Sequence, residues 1–182
     1  MRVTILTVVG FLAVLQQPEL EAEYKKQEKV LLAKLQNEEI WNDSKQSAEL
    51  ERLLQIAGVI KPAELAPVLV KHIDYFHSQG IRRFIKPGPI ELIYPSYGIL
   101  VRLGLPSVQP LLNELKRDSG ERAKQLLSQK RNLIVHCIIE IYDEGGYGRE
   151  LARRRIELEL KHASKMEQEA LLEALEHPGL NE

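Results

Sequence analysis

A histidine and two carboxylates stand one helical turn apart in the most apolar stretch of the chain. His136 and Glu140 are four residues apart, so they share one face of a helix, and Asp143 follows one turn later. These side chains can touch one metal ion, but a zinc site takes three or four ligands, and the rest would have to come from other helices. With Cys137 and Ile138 adjacent, the pattern favours a partly buried histidine bonded to its neighbour. We assign no metal ligand, although metal binding by His136 and Glu140 stays open.

Other side chains of catalytic type are poorly spaced. His72 and His77, with Asp74 between them, are five residues apart and point in different directions on a helix. The glutamates at 157, 159, 167 and 169 fall on polar faces, whereas carboxylates that do acid–base work need an enclosed environment. The chain has no phosphate-binding glycine loop, nucleophile elbow or metalloprotease helix, and its glycine-rich run at 145–148 is typical of a turn. We therefore predict no catalytic residue and no cofactor.

Basic residues form two groups. Arg149 precedes three consecutive arginines at 153–155, which spread over about 200° of a helix and have glutamates within four residues. A second group combines cations from two parts of the chain, namely Arg82, Arg83, Lys86, Lys116 and Arg117. A nucleic-acid surface requires such cations to converge without acidic neighbours, and the net charge is −1. Nucleic acid is therefore not a predicted partner.

Composition favours a single helical domain. The 182 residues are 44% hydrophobic, but aromatic residues make up only 5%, which is unlike a β-sandwich. Good helix formers, chiefly Glu, Lys, Leu, Gln, Arg and Ala, dominate after residue 18. Cys137 is the only cysteine, so an intrachain disulfide and a multi-cysteine zinc site are excluded.

The N-terminus has the pattern of a secretory signal peptide. Arg2 precedes thirteen uncharged residues, 3–15, and a polar boundary with Pro18 follows. Thirteen residues are fewer than the roughly 20 that span a bilayer as a helix. The candidate cleavage sites lack a good small-x-small triplet, so an uncleaved anchor or a core segment remain alternatives. We predict a leader at 1–17, an exported protein and no membrane span after the leader is removed.

Hydrophobic periodicity and helix breakers predict a series of helices. Asn42, Asp43 and Ser44 are N-cap candidates for the second of them. The first three predicted helices cover 19–38, about 45–57 (ending before Gly58) and 62 to about 76 (with Pro62 at its first position). A fourth begins at Pro95 and stops near Gly104, a fifth begins at Pro106, and a sixth follows Ser119–Gly120 and runs to about Tyr142. The last two cover about 149–162 and about 165–176, which Pro178 and Gly179 end. Residues 77–91 form one long irregular segment with four helix breakers, and it is either a binding element for an acidic partner or a structural plug.

Three times an apolar helix ends at glycine and a second amphipathic helix follows. Gly58, Gly104 and Gly146 mark the copies, 46 and 42 residues apart, and this period belongs to two-helix repeat units. The middle copy, Leu103-Gly104-Leu105-Pro106-Ser107-Val108 with Leu111, Leu112 and Leu115, resembles the HEAT-like repeat, although Leu105 stands where the family often has Asp. The resemblance implies an all-α fold, a short α-solenoid of about three HEAT-like helical pairs. An irregular helical bundle is the alternative fold.

The predicted organisation is a leader (1–17), a charged helix (18–44), the repeat domain (45–177) and a tail (178–182). Solenoids usually bind protein segments along their second helices. We therefore predict a non-catalytic interaction or scaffold module with an unidentified protein partner and an undetermined oligomeric state. The alternatives are a hydrolase-type enzyme or metal-binding protein with a site in the cleft beside 77–91, and a structural part of a larger envelope assembly. The predicted partner-binding residues are Arg82, Arg83, Lys86, Lys71, Asn113, Lys116 and Arg153.

Overall fold

The structure, a computed structural model, describes residues 21–76, 89–117, 124–143 and 146–181. Most residues in these ranges are helical and none forms a strand, which confirms the predicted all-α class. No helix in the described ranges is long and apolar enough to cross a membrane. The predicted leader at 1–17 and the cations Arg82, Arg83 and Lys86 lie outside the described residues.

Eleven α-helices occupy the described residues. They are α1 (21–36), α2 (Glu39–Asn42), α3 (Ser47–Ile60), α4 (Ala66–Lys71), α5 (Ile90–Ile93), α6 (Pro95–Leu103), α7 (Val108–Arg117), α8 (Lys124–Tyr142), α9 (Gly148–Leu160), α10 (Lys165–Leu175) and α11 (Pro178–Asn181). Short 3-10 turns, Ser44–Gln46, Ala63–Leu65 and Leu105–Ser107, precede α3, α4 and α7. The Asp43 carboxylate accepts a hydrogen bond from the backbone N–H of Lys45, so this predicted cap residue does cap the turn before α3.

Two rows of helices enclose the core. Helices α3, α6 and α8 pack side by side in that order, and α4, α7 and α10 form the second row. The rows meet where α4 lies against α6 and α7 against α8. Between them lie the apolar residues that the periodicity predicted to be buried, among them Val108, Leu111, Leu112 and Leu115 of α7 and Leu133, Ile134, Val135 and Ile138 of α8.

Helix α9 does not belong to either row. The direct neighbour of α7 is α10, whereas α9 packs against α8 and α10 and reaches α7 through long side chains. Helix α9 buries only Gly148, Ala152 and Ile156. A Cβ at Gly148 would lie 2.5 Å from the carbonyl oxygen of Ile139, so this glycine permits the close approach of α9 to α8.

The second predicted helix does not end before Gly58. Helix α3 passes through Gly58 and ends at Ile60, with Lys61 in the left-handed region at φ 54°. A Cβ at Gly58 would lie 3.1 Å from Nη2 of Arg102 and 3.7 Å from Cγ1 of Ile99. The glycine therefore serves the packing of α3 against α6, and Lys61 takes the position at which helices usually have glycine.

Both predicted ends of the third helix were wrong. Pro62 precedes a 3-10 turn, and α4 ends at Lys71, so the helix expected to reach Phe76 is shorter and His72 turns towards Trp41. At the C-terminus, Pro178 begins α11, in keeping with the preference of proline for the first position of a helix. The predicted tail is thus partly helical, and its Leu180 is buried.

Replacing Lys61 by glycine should stabilise the protein by about 0.5–1 kcal/mol. The left-handed conformation costs a non-glycine residue roughly 1–2 kcal/mol, and the extra freedom of glycine in the unfolded chain offsets part of that gain. Lys61 is exposed, so losing its side chain should matter little. Chemical denaturation measures the change, with Lys61→Ala as the control that keeps the strained backbone. A stability of Lys61→Gly equal to or below that of Lys61→Ala would contradict the proposed strain.

Candidate functional site

Each described residue of the predicted partner-binding set has a partner within the chain. Lys71 Nζ lies 2.5 Å from Oε1 of Glu38, and Lys116 Nζ lies 3.1 Å from Oε2 of Glu159. The amide oxygen of Asn113 accepts a hydrogen bond from Gln109 at 3.1 Å. The guanidinium of Arg153 binds the end of α11, donating to the carbonyl oxygen of Leu180 and to the amide oxygen of Asn181. The contacts of Lys71, Lys116 and Arg153 join separate parts of the fold, whereas the contact of Asn113 lies within α7.

The polar contacts between α7 and α9 form a connected cluster. Glu159 forms ion pairs with both Lys116 and Arg155. Arg155 also donates a hydrogen bond to the amide oxygen of Gln109 at 2.6 Å. Burial acts to raise the pKa of Glu159, but the hydrogen bond and charge of Lys116, together with Arg155, more than offset it and hold the pKa below its ordinary value. Glu159 is thus a charged bridge between helices, and its carboxylate is unsuited to act as a proton donor near neutral pH.

His72 lies in an aromatic cluster that joins α2 to the end of α4. Its ring stacks on Trp41 with centroids 4.1 Å apart, and Tyr75 meets the edge of the indole at 5.5 Å. His72 Nε2 lies 3.5 Å from Oε2 of Glu38. Burial lowers the pKa of His72 and the charge of Glu38 opposes that shift only in part, so the ring is neutral at pH 7. The cluster is a structural joint.

Within the described part of the chain, His136 does not belong to a group of possible metal ligands. Across the described ranges, no three histidine, cysteine or acidic side chains are placed to hold one ion. His136 is exposed, unlike the partly buried histidine that the sequence predicted, and it meets the edge of His177 with ring centroids 4.9 Å apart. Nδ1 of His177 already accepts the N–H of Gly179 at 3.1 Å. The pair therefore lacks the ligand number that a zinc site requires.

An open groove lies between α1 and α3, where no site was predicted. It encloses about 300 Å³, and its floor is apolar, formed by Val30, Leu31, Leu53 and Ile56. Leu31 and Leu53 are buried in the core, whereas Val30 and Ile56 keep 52% and 36% of their surface exposed. An ion pair between Lys34 and Glu49, 2.7 Å apart, closes one end by linking the two helices.

The groove follows one stripe of each helix. On α1 its lining residues run from Glu23 to Lys34 at helical spacing, a length of about 16 Å at 1.5 Å per residue. The rim carries Lys26, Lys34 and Arg52 against Glu23 and Glu49, which leaves one positive charge in excess. The sequence held a signal for this surface, because Val30 extends the apolar face of α1 beyond the buried Leu31 and Leu35.

No family model matches the chain, and neither the curated proteins nor the solved structures contain a significant match to it.

Proposed function

We propose that this chain is a non-catalytic protein-binding module, a short α-solenoid of HEAT-like helical pairs, which holds a helical segment of a partner protein in the α1–α3 groove. The observation that carries the proposal is the exposed apolar floor of that groove between two charged rims. An amphipathic helix that lays its apolar face into such a groove is a recurring mode of peptide recognition.

The dimensions of the groove suit a short helix. A length of about 16 Å accommodates about three turns of helix, since each turn rises 5.4 Å. Such a segment presents apolar side chains at i, i+3 or i+4, and i+7 on one face. Val30 and Ile56 would be covered by them, and covering one such side chain is worth about 1.5–3 kcal/mol at full burial.

The rim favours a partner segment with acidic residues beside its apolar face. Lys26 and Lys34 already lie near Glu23 and Glu49, at 3.8 Å and 2.7 Å. Arg52, whose charge also acts on Glu49, is exposed on the α3 side of the groove. A carboxylate of the partner can pair with Arg52 there. An exposed pair contributes at most about 1 kcal/mol, so the charges select the orientation of the segment and the apolar floor supplies most of the affinity.

The second-helix surface is a weaker candidate. Lys71, Lys116 and Arg153 are engaged by Glu38, Glu159 and the end of α11, so an acidic partner would have to displace contacts that the fold uses. Export of the protein is part of the proposal and rests on the leader pattern at 1–17. The site beside 77–91, whether for a partner or for catalysis, has no further support, because residues 77–88 lie outside the described residues.

Negative charges on the floor of the α1–α3 groove should strongly weaken partner binding. In the double variant Val30→Asp and Ile56→Asp, two carboxylates would be buried under the partner helix, so we expect the affinity to fall at least tenfold. The matched control is Leu158→Asp, because Leu158 is also an apolar side chain with 46% exposure and lies on α9. The measurement is affinity capture from a cell-envelope fraction, quantified by mass spectrometry, with melting temperatures checked for every variant.

We expect at least one protein to be retained by the wild type and by Leu158→Asp but lost with the double variant. Equal retention of every captured protein by a folded double variant would contradict the groove as the binding site.

A further inference from the structure

Two histidines enclose the backbone of α11 at its first turn. His177 immediately precedes α11, and its Nδ1 accepts the N–H of Gly179 at 3.1 Å, which is the geometry of a helix cap. His136 of α8 meets the edge of the same ring. A Cβ at Gly179 would lie 3.1 Å from Nδ1 of His177 and 3.3 Å from Cε1 of His136, so Gly179 fits closely between the two rings.

Helix α11 is attached to the body by a few contacts. Leu180 is its one buried side chain among the described residues, and α11 packs against α8 and α9. Arg153 donates to the carbonyl oxygen of Leu180 at 3.3 Å and to the side chain of Asn181. Four residues held by one apolar side chain and a few polar contacts form a local unit that can open without global unfolding.

We propose that α11 is a pH-sensitive latch: it is docked on α8 and α9 at neutral pH and released when His177 takes up a proton. A proton on Nδ1 of His177 turns an acceptor into a donor, and two donors then face each other where the Gly179 N–H is now bound. Release would uncover the surface of α8 and α9 on which Leu180 lies.

Other charged groups on the helices around α11 do not relieve the repulsion between a protonated Nδ1 of His177 and the N–H of Gly179. Charged residues on these helices include Arg131, Glu140, Arg149, Arg153 and Glu173, and Glu176 follows the end of α10; of these, Arg153 forms hydrogen bonds with α11. Arg131 pairs with Glu173, and Arg153 binds α11 through neutral oxygens. Among the described residues, His136 is the neighbour whose charge shifts the pKa of His177.

The direction of the pH dependence follows from the docked state. Burial, and after it the neighbouring His136, hold the pKa of His177 below its ordinary value of 6.5. The docked form therefore binds the proton more weakly than the released form. Docking is fully favoured above pH 6.5 and weakens as the pH falls through 6.5 towards the lower pKa of the docked state.

Hydrogen exchange of the full chain tests the latch. We expect the protection factors of the Gly179 and Leu180 amides, each corrected for the intrinsic rate at that pH, to fall between pH 7.5 and pH 5. The fall should be about tenfold for each unit by which docking lowers the pKa of His177. Amides in the middle of α7 should keep their protection, because that helix lies in the core.

The control is His177→Asn, since an asparagine oxygen can accept the Gly179 N–H but does not titrate. Protection in this variant should be the same at both pH values. Loss of protection in His177→Asn equal to that in the wild type, or constant protection in the wild type, would overturn the proposal. NMR titration of the wild-type His177 ring is a second check, and a pKa at or above 6.5 in the docked form would also overturn it.

Discussion

Replacing Trp41 by alanine should lower the free energy of unfolding by about 3–5 kcal/mol. The indole is 92% buried, with only 8% of its surface exposed, and its ring stacks on His72. Its N–H donates to the carbonyl oxygen of Leu35 at 2.8 Å, which ties the end of α1 to α2. Alanine leaves a cavity and an unpaired carbonyl in the joint between α1, α2 and α4. Urea unfolding followed by circular dichroism measures the loss, because the only tryptophan is absent from the variant.

The variant Trp41→Phe separates the contribution of the aromatic ring beside His72 from that of the hydrogen bond to Leu35. Phenylalanine keeps an aromatic ring beside His72 but removes the donor to Leu35, so the loss should be smaller than for alanine. A loss below about 0.5 kcal/mol in Trp41→Ala, the range of a surface substitution, would mean that this joint does not support the fold.

Truncation of Ile138 should cost about 2–5 kcal/mol. Ile138 has no exposed surface and lies on α8, which packs against α6, α7 and α9. Because neighbours surround it, the cavity left by Ile138→Ala cannot close by a small movement of one helix. Chemical denaturation measures the effect.

Leu172→Ala is the matched control for Ile138→Ala. Leu172 is also an aliphatic residue in a helix, but half of its surface is exposed, so its truncation should cost much less. Equal losses for the two variants would contradict the assignment of α8 to the core.

The sequence predicted the helices best where local signals agreed. Pro95 begins α6 and Gly104 ends it at φ 71°, a conformation that favours glycine, and the apolar spacing of α7 placed all four of its predicted residues in the core. Sequence patterns were insufficient where a residue type can serve two structural roles, as glycine can end a helix or allow close packing inside one. Gly58 was predicted to end a helix, but it lies inside α3 and lets Arg102 and Ile99 approach.

The candidate site depended on tertiary contacts that no local pattern encodes. Lys71 and Lys116 were predicted to face a partner because polar positions on amphipathic helices face outward, but their carboxylate partners, Glu38 and Glu159, are 33 and 43 residues away in the chain. The groove likewise appears only when α1 lies beside α3. The pairing of His136 with His177 required α11 to fold back on α8.

Site-specific photo-crosslinking tests the central claim, that the α1–α3 groove holds a helical segment of a partner. A benzophenone side chain at position 30 reports from the groove floor, and the same group at position 158 reports from an exposed apolar position on α9. We expect irradiation in the native cell to give one dominant adduct from position 30 and none of that mass from position 158. The crosslinked peptide should carry apolar residues at i, i+3 or i+4, and i+7, with an acidic residue beside them. Adducts of the same masses and yields from both positions, or no adduct from position 30, would contradict the account.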